Sequence, residues 1–367
     1  MARRRGALAA VELSRAFWEG RRVLVTGHTG FKGSWLSLWL QELGAEPAGV
    51  ALGHPIGPCL WEAARVGHGM PTIEADLRSL PAVEEAFAEH RPEVVVHLAA
   101  QPIVSRSLSD PVATFEINVM GTVNVLEAAR RSESVAALVN VTSDKAYEDT
   151  GSGEAHGEGD RLGGRDPYSA SKACSELATA AYRESFDGPA LASARAGNVI
   201  GGGDWAEDRL VPDLMRAAID GTRAEIRRPE SVRPWQHVLN PLSGYLLLAE
   251  RLCEHGRFAG AWNFAPDEAD AWPVGRVLER IQELWGEEIP VDVGVAPGFH
   301  ETHYLQLDSS KARSQLGWEP VWGIDEGLRA VVDWYRRWHA GEDARELTLG
   351  QIRSHQAGQA GAERPLG

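Results

Sequence analysis

Tyr168 and Lys172 are the residues whose types and spacing indicate chemistry most directly. They stand four residues apart in a segment predicted to be helical, so both side chains lie on one helix face. A free tyrosine has a pKa of about 10, too high for a base at neutral pH. A neighbouring ammonium and a cationic ring of a bound cofactor are expected to stabilise the phenolate and lower that pKa. Tyr168 would then take the proton from a hydroxyl group while hydride leaves its carbon.

Ser143, Asp144 and Lys145 form a second polar group, directly after the apolar run 136–141 that predicts a strand. Open α/β sheets bind their ligands at the carboxyl ends of strands, which is where these side chains stand. The Ser143 hydroxyl can hydrogen-bond a reacting oxygen. An elimination needs a base to remove a proton and an acid to protonate the leaving hydroxyl, and Asp144 with Lys145 supplies such a pair. The alternative is a solvated charge pair at the end of a strand.

A glycine-rich turn precedes both groups in the sequence. It follows the predicted strand 22–26 and opens a predicted helix, the context in which such turns bind the pyrophosphate of a dinucleotide. The first glycine makes the turn, the second admits the pyrophosphate, and the third lets the helix approach the strand. The residues that we assign to this cofactor site are Gly27, Thr29, Gly30, Phe31, Lys32 and Gly33.

The carboxylate that usually follows about 20 residues later, and binds the adenosine ribose, is missing around residues 52–54. Asp76 and Leu77, next to Arg78, are instead expected on the adenine side of the cofactor. The choice between NAD and NADP therefore stays open on these residues alone. Lys32 either favours a phosphate group or is an ordinary solvent-exposed helix lysine.

The elements that carry these residues alternate between apolar strands and amphipathic helices. Strands are predicted at 22–26, 47–52, 93–98, 136–141 and 190–194, and the intervening helices include 115–130 and 168–185. This alternation is typical of an α/β fold whose parallel sheet carries helices on both faces. We therefore predict a Rossmann-type doubly wound parallel sheet with a smaller, mixed α/β substrate-binding lobe.

The alternation ends at Gly201-Gly202-Gly203, and the later predicted helices are separated by irregular segments. We predict these later helices at 210–220, 241–254, 273–284 and 324–339. The predicted domains are a lead-in at 1–20, a dinucleotide-binding Rossmann domain at 21–200 with a return segment at 236–258, a mainly substrate-binding lobe at 201–340, and a flexible tail at 341–367.

Composition excludes several classes of function. The 367 residues contain 52 acidic side chains against 37 Lys and Arg, which argues against nucleic-acid binding. No run approaches the roughly 20 apolar residues that cross a membrane, so no membrane partner is expected. Three widely spaced cysteines, Cys59, Cys174 and Cys253, are typical of free thiols in a reducing cytoplasm. The His/Glu cluster at 300–303 lacks metal-site spacing, so no metal is predicted.

These residues together resemble the extended short-chain dehydrogenase/reductase family, in its sugar-nucleotide dehydratase/epimerase branch. The resemblance covers roughly residues 17–340 and is carried by the motifs TGHTGFKGSWLSLWL, HLAAQP, NVMGTVN, TSDK, LGGRDPYSASK and RAGNVIGGGDWAEDRLVPD. It implies NAD as the cofactor and CDP-glucose or a related sugar nucleotide as the substrate. It also implies a homodimer formed by the helices around 115–130 and 168–185.

The resemblance implies a reaction as well. Carbon C4 of the sugar is oxidised with the help of Tyr168, Lys172 and Ser143, and the first two of these also contact the cofactor. Asp144 then protonates the departing C6 hydroxyl, Lys145 serves in C5 deprotonation, and hydride returns to C6. The further residues that the resemblance implies are Ala99, Ala100, Gln101 and Asn118 for the cofactor, and Gln101, Ser143, Asn198, Arg209 and Arg233 for the substrate.

Two other functions stay open at this point. A sugar-nucleotide 4-epimerase or reductase would use the same Tyr168 and Lys172, but it would not need the acid–base pair beside them. A cofactor-binding protein without catalysis would be expected to have lost one of these residues or Ser143. The loop 150–159 departs from the family pattern because it lacks aromatic residues. Since this loop precedes Tyr168, it is expected to border the sugar.

Overall fold

A seven-stranded parallel sheet forms the centre of the protein. The computed structural model describes residues 12–54, 57–151, 153–294 and 306–360. Within these ranges the strands are β1 (Arg22–Thr26), β2 (Glu46–Ala51), β3 (Thr72–Glu74), β4 (Val94–His97), β5 (Ala137–Val141), β6 (Ala190–Arg195), β7 (Val199–Ile200), β8 (Ala224–Ile226), β9 (Val232–Pro234), β10 (Gln236–His237), β11 (Gly260–Asn263), β12 (Ala271–Pro273) and β13 (Val291–Val293). The large sheet has the order β11-β6-β5-β4-β1-β2-β3, and all its pairings are parallel. This confirms the predicted α/β Rossmann fold.

Helices flank the sheet on both faces. The described helices are α1 (Arg15–Trp18), α2 (Phe31–Glu42), α3 (Leu60–Ala63), α4 (Leu80–His90), α5 (Val104–Ser109), α6 (Pro111–Phe115), α7 (Gly121–Arg131), α8 (Pro167–Ser185), α9 (Leu210–Asp220), α10 (Leu239–Glu254), α11 (Val274–Trp285), α12 (Ile324–His339) and α13 (Ala344–Ala360). The predicted helix 115–130 is interrupted, because a π-helical turn, Glu116–Met120, joins α6 to α7. Such turns are frequent at functional sites.

Each face of the sheet has its own hydrophobic core. Successive strand residues point to opposite faces, so Val23 and Val25 enter one core whereas Leu24 enters the other. The first core contains buried tryptophans of α2 and α12, among them Trp35 and Trp334. Because helices cover both faces, β1, β4 and β5 are almost continuously buried and apolar, as is usual for parallel sheets.

Two strands of the sheet were not predicted. Thr72–Glu74 has only three residues, and two of them are exposed, so it carries no apolar run. Gly260–Asn263 lies after the predicted alternation ends, yet it pairs with β6 and extends the sheet. Helix α10 precedes this strand and packs against β5 and β6. The division at about residue 200, with the return segment 236–258, stays a prediction.

The expected flexible tail is wrong for most of its length. Residues 344–360 form α13, and Leu347 and Ile352 on this helix are buried. The Trp334 indole donates to Thr348 Oγ1 at 3.1 Å, and Arg353 pairs with Glu42 of α2 at 2.8 Å. Apolar residues at helical spacing therefore fix the segment against α2 and α12. Residues 361–367 lie outside the described ranges.

None of the helices in the described part of the chain is long and apolar enough to cross a membrane.

Candidate active site

The glycine turn after β1 brings the backbone unusually close to neighbouring chain segments. Gly27 adopts a φ of +72°, and a Cβ atom on it would lie 2.7 Å from the backbone of Ala99. A Cβ atom on Gly33 would lie 2.2 Å from the Gly27 carbonyl oxygen. Only glycine fits at these two positions. The turn therefore leaves the N-terminus of α2, which begins at Phe31, open to a phosphate group.

The adenine end of this site is bordered by the segments that follow β2 and β3. Thr29 Oγ1 donates to the Gly53 carbonyl at 2.7 Å and ties the glycine turn to the segment after β2. The Arg78 guanidinium binds Asp76, with its shortest contact at 2.6 Å, and also reaches Glu116 at 3.1 Å. These hydrogen bonds from Arg78 lower the pKa of Asp76, so its carboxylate is ionised and fixed in place.

Helix α8 positions the tyrosine and the lysine. It begins at Pro167 after the N-cap residue Asp166, whose carboxylate accepts from the Ser169 amide at 2.9 Å. Tyr168 and Lys172 consequently occupy its first turns, 8% and 6% exposed. The Lys172 ammonium donates to the Val141 carbonyl at the end of β5, at 3.3 Å.

Burial governs the ionisation of this group. It lowers the pKa of Lys172 to about 8, an effect that the Glu176 carboxylate opposes. It also lowers the pKa of Lys32 to about 8, helped by the nearby positive charges of Arg209 and Lys172. Burial raises the pKa of Tyr168 despite a hydrogen bond with Ser143. The protein's own groups therefore do not produce the lowered tyrosine pKa that the sequence led us to expect.

The acid–base pair stands at the end of β5, beside the redox pair. Asp144 is 5% exposed, and its Oδ1 atom accepts from Ser143 Oγ and from the Lys145 amide, both at 2.9 Å. Its Oδ2 atom faces Gly197, where a Cβ atom would lie only 1.7 Å away. Because residue 197 is a glycine, there is room for the Asp144 carboxylate at this position.

One open cleft of about 1530 Å³ unites these residues. Its size exceeds that of an ordinary single-ligand pocket, which suits a dinucleotide together with a second nucleotide. The predicted residues that line it are Gly27, Thr29, Gly30, Phe31, Lys32, Gly33, Asp76, Leu77, Ala99, Ala100, Gln101, Ser143, Asp144, Lys145, Tyr168, Lys172, Asn198, Arg209 and Arg233.

Asn118 is the exception, because it does not line the cleft, and its contact with the cofactor stays a prediction. Its side chain is buried behind the cleft, where Oδ1 accepts from the Gln101 amide at 2.8 Å and Nδ2 donates to Ser171 Oγ at 2.8 Å. The π-helical turn directs it inward. Asn118 therefore holds Gln101 and α8 in place.

The far end of the cleft contains charged residues that the sequence did not indicate, Asp204, Asp208 and Arg227, beside the predicted Arg209. Asp208, with a φ of +61°, accepts from Ser105 at 2.7 Å and from Arg227 at 2.8 Å. Arg209 donates to Asp204 at 3.0 Å. Ser105 and Arg227 are more than 100 residues apart in the sequence, so no local pattern could have revealed that they meet at Asp208.

The described residues of the loop 150–159 do not line the cleft, although the sequence led us to expect this loop beside the sugar. His156 stacks on Tyr147, with ring centroids 4.7 Å apart, and its amide donates to the Gln306 carbonyl at 2.8 Å.

One His/Cys/Glu group with metal-ligand atoms occurs in the described ranges. His54, Cys59 and Glu62 have their ligand atoms within 4.8 Å of one another. His54 and Glu62 are about half exposed, and the His54 Nε2 and Glu62 Oε1 atoms lie 3.4 Å apart. The cluster at 300–303 lies outside the described residues.

A glycine cradle for a dinucleotide, a buried Tyr–Lys pair and an adjacent acid–base pair define a nucleotide-dependent redox enzyme of the short-chain dehydrogenase type. The profile of the NAD dependent epimerase/dehydratase family matches residues 23–260. The chain belongs to this family, and NAD is accordingly its cofactor. The glycine positions described above fit that cofactor because they let the turn pack against Ala99 and against α2, with the N-terminus of this helix open to a phosphate group.

Similar proteins carry related activities. The chain is 47% identical to a CDP-glucose 4,6-dehydratase of Salmonella typhimurium over 340 residues, 90% of this chain and 95% of the relative. It is 28% identical to a dTDP-glucose 4,6-dehydratase of Haemophilus influenzae over 284 residues, 71% of this chain and 81% of that relative. The crystal structure of a Thermus thermophilus UDP-glucose 4-epimerase with NAD superimposes with a TM-score of 0.73 at 31% identity, covering 86% of this chain and 99% of the epimerase.

Proposed function

We propose that the protein is a CDP-glucose 4,6-dehydratase, which converts CDP-glucose to CDP-4-keto-6-deoxyglucose and water. The observation that carries this proposal is the position of Asp144 and Lys145. Both line the same cleft as Tyr168 and Lys172, so an acid and a base stand beside the redox pair. The 47% identity to a CDP-glucose 4,6-dehydratase supports cytidine as the base of the nucleotide.

The first step is oxidation at C4 of the glucose. Gly27, Gly30 and Gly33 would hold NAD, which would supply the hydride acceptor for C4 and the hydride donor for C6. Burial raises the pKa of Tyr168, so the phenolate that accepts the proton of the C4 hydroxyl would form when the Lys172 ammonium and the cationic ring of bound NAD both compensate its charge. Ser143, which hydrogen-bonds Tyr168, would turn its single hydroxyl proton from Asp144 to the same sugar oxygen in this step.

The second step is the elimination of water across C5 and C6. The C4 carbonyl acidifies the C5 proton, and the Lys145 amine removes it. Asp144 gives a proton to the departing C6 hydroxyl, so that water leaves. Hydride then adds to C6 and Lys145 returns the proton to C5, which completes the 4-keto-6-deoxy sugar. The Ser143 hydroxyl and the Lys145 amide hold the Asp144 carboxyl group in its position for this transfer.

The nucleotide part of the substrate occupies the charged end of the cleft. Arg209 and Arg233 are suited to a diphosphate because a planar guanidinium donates two hydrogen bonds at once. Asn198, with a φ of +50°, and Gln101 line the wall between these arginines and Tyr168, where we place the sugar. The half-buried Lys32 adds positive charge between the two nucleotide sites.

The direct test is incubation of the purified protein and NAD with CDP-glucose, with products resolved by mass spectrometry. We expect a product lighter by one water and no net NADH. Lys145→Met should abolish this product while leaving NAD binding intact. UDP-glucose and dTDP-glucose, tested in parallel, report on the base. An isomer of unchanged mass would identify a 4-epimerase, and no conversion of CDP-glucose would refute the proposal.

We further propose a homodimer. Leu108, Val112 and Phe115 on α5 and α6, Met120 in the π-helical turn and Leu177 on α8 are exposed apolar residues on neighbouring helices. Two copies of this surface would form a four-helix contact that covers them. Val112→Glu combined with Leu177→Glu should shift the mass in analytical ultracentrifugation from dimer to monomer, whereas an unchanged dimer would contradict this interface.

The proposed location is the cytoplasm. Cys59, Cys174 and Cys253 are all unpaired, which is typical of proteins in a reducing compartment. Cell fractionation with an antibody to the chain tests this, and recovery in an oxidising compartment would contradict it.

A further inference from the structure

Behind the catalytic residues lies a buried ion pair that the reaction described above does not use. Arg195, the last residue of β6, donates through Nε and Nη2 to the two carboxylate oxygens of Glu176 at 2.8 and 2.9 Å. Both side chains are 3% exposed. A buried pair of this kind stabilises little on balance, because desolvation of both charges offsets their attraction. A gain in folding stability therefore does not explain why this ion pair is buried here.

The pair is hydrogen-bonded to both ends of the segment that carries Ser143, Asp144 and Lys145. At the start of the segment, Thr142 Oγ1 donates to Glu176 at 2.5 Å. At its end, the Tyr147 hydroxyl accepts from Arg195 Nη1 at 2.5 Å and donates to Asn263 at 2.8 Å. Tyr147 is also buried, which raises its pKa to about 12 and keeps it a neutral donor.

The same carboxylate stands one helical turn after Lys172. Lys172 donates to the Val141 carbonyl and Glu176 accepts from Thr142, so the two side chains of α8 contact consecutive residues at the end of β5. The other titratable groups facing Lys172 are Tyr168 on the same helix, Lys32 from α2, and His97 from β4.

We propose that Glu176 and Arg195 are positioning residues, which fix both ends of the Thr142–Tyr147 segment and keep a negative charge beside Lys172. This inference rests on the proposed dehydratase function. It predicts two separable effects. Loss of a hydrogen bond to the segment misplaces Asp144 and Lys145 and lowers kcat. Loss of the carboxylate charge also changes the pH at which Lys172 loses its proton.

The sign of the pH effect follows from the charges. Burial lowers the pKa of Lys172 to about 8, and Glu176 opposes this lowering. Without the carboxylate the pKa falls further, so Lys172 becomes neutral at lower pH. His97 is neutral throughout, since burial lowers its pKa to about 3, and Lys32 is unchanged in the variants. The alkaline limb of the kcat profile should therefore move to lower pH.

The experiment compares pH profiles of CDP-glucose dehydration for four variants of the full chain with NAD. Glu176→Gln should lower kcat and move the alkaline limb down by about one pH unit. Glu176→Asp keeps the charge and should restore the limb. Thr142→Val and Tyr147→Phe should lower kcat by about 10- to 100-fold with the limb unmoved. KM should change little in all four.

The possible failures are distinguishable. If wild-type protein does not convert CDP-glucose, the proposed function fails, and the profiles are measured on the sugar nucleotide that it does convert. If Glu176→Gln does not fold, Glu176→Gln with Arg195→Met removes both buried charges together, and a smaller shift in the same direction is expected, because loss of the Arg195 cation offsets part of the loss of the Glu176 carboxylate. An alkaline limb that stays at the wild-type pH in the charge-removing variant would overturn the inference, as would wild-type kcat in Thr142→Val and Tyr147→Phe.

Discussion

The two halves of the cleft are shaped by different parts of the chain, the cofactor half by backbone and the substrate half by side chains. The cofactor half is shaped by backbone, since Gly27 and Gly33 lie so close to neighbouring chain that no side chain fits. The substrate half is shaped by long charged side chains, with Arg209 on Asp204 and Arg227 on Asp208. A backbone surface cannot adapt, whereas paired side chains can exchange partners for a ligand. Substitutions in the cofactor half should therefore abolish function, whereas substitutions in the substrate half should change the affinity for the substrate.

The largest effect is expected at the junction of the two halves, where the proton is transferred. Tyr168→Phe should lower kcat about 10²- to 10⁴-fold, because the proton acceptor for the C4 hydroxyl is lost. NAD binding should persist. Tyr182→Phe, a half-buried tyrosine on the same helix that contacts Glu127, is the matched control and should keep wild-type kcat. Equal losses in the two variants would contradict the assignment.

The next effect concerns the backbone of the cofactor half. Gly27→Ala places a methyl group 2.7 Å from the Ala99 backbone at a φ of +72°. Neither backbone can move without breaking the sheet, so NAD affinity measured by calorimetry should fall more than about tenfold. Gly256→Ala, where nothing lies within 4 Å of the new Cβ, should bind NAD normally. Wild-type affinity in Gly27→Ala would show that the cradle is adaptable after all.

A smaller, more selective effect is expected at Gly197. The methyl group of Gly197→Ala would occupy the position of the Asp144 carboxylate, whose Oδ2 would lie 1.7 Å away, and the side chain must rotate. Elimination should slow about 10- to 100-fold while C4 oxidation continues. Stopped-flow absorbance should then reveal transient NADH that wild-type protein does not accumulate. Slowing of oxidation to the same degree would mean that Asp144 is not specific to the elimination.

The mildest effect belongs to the substrate half. Arg209→Gln should raise KM for CDP-glucose about tenfold with little change in kcat, because one charge-assisted contact to the diphosphate is lost. Arg329→Gln on the outer surface of α12 serves as the control for loss of one positive charge. A fall in kcat that matches the rise in KM would place Arg209 in the chemical steps and weaken the contrast between the two halves.

The same contrast explains what the sequence could predict. The residues of the cofactor half could be predicted from local patterns, since the glycines follow one strand and Tyr168 and Lys172 share one helix. The sheet itself was predictable for the same reason, through buried runs such as Val94–His97. The pairing of Asp208 with Ser105 and Arg227 joins three distant segments, so no spacing in the sequence reports it.

Two features of the described chain depend on tertiary packing that the sequence does not report. The segment after residue 340 is rich in Gly, Gln and charge, which is typical of a flexible tail, yet Ile352 and Leu347 supply enough buried apolar surface to dock α13. Asn118 stands in a motif next to the cofactor site, but the π-helical turn directs its side chain toward Gln101. In both cases the surrounding fold, and not local propensity, determines the outcome.

The central claim is that one cleft carries out both hydride transfer and elimination. The most direct measurement uses CDP-glucose deuterated at C4 with wild-type protein and unlabelled NAD. Mass spectrometry and NMR of the product should locate the deuterium at C6, after loss of one water and without net NADH, because hydride is removed and returned in the same site. Deuterium found in solvent or in released NADH, or retained at C4, would contradict the account.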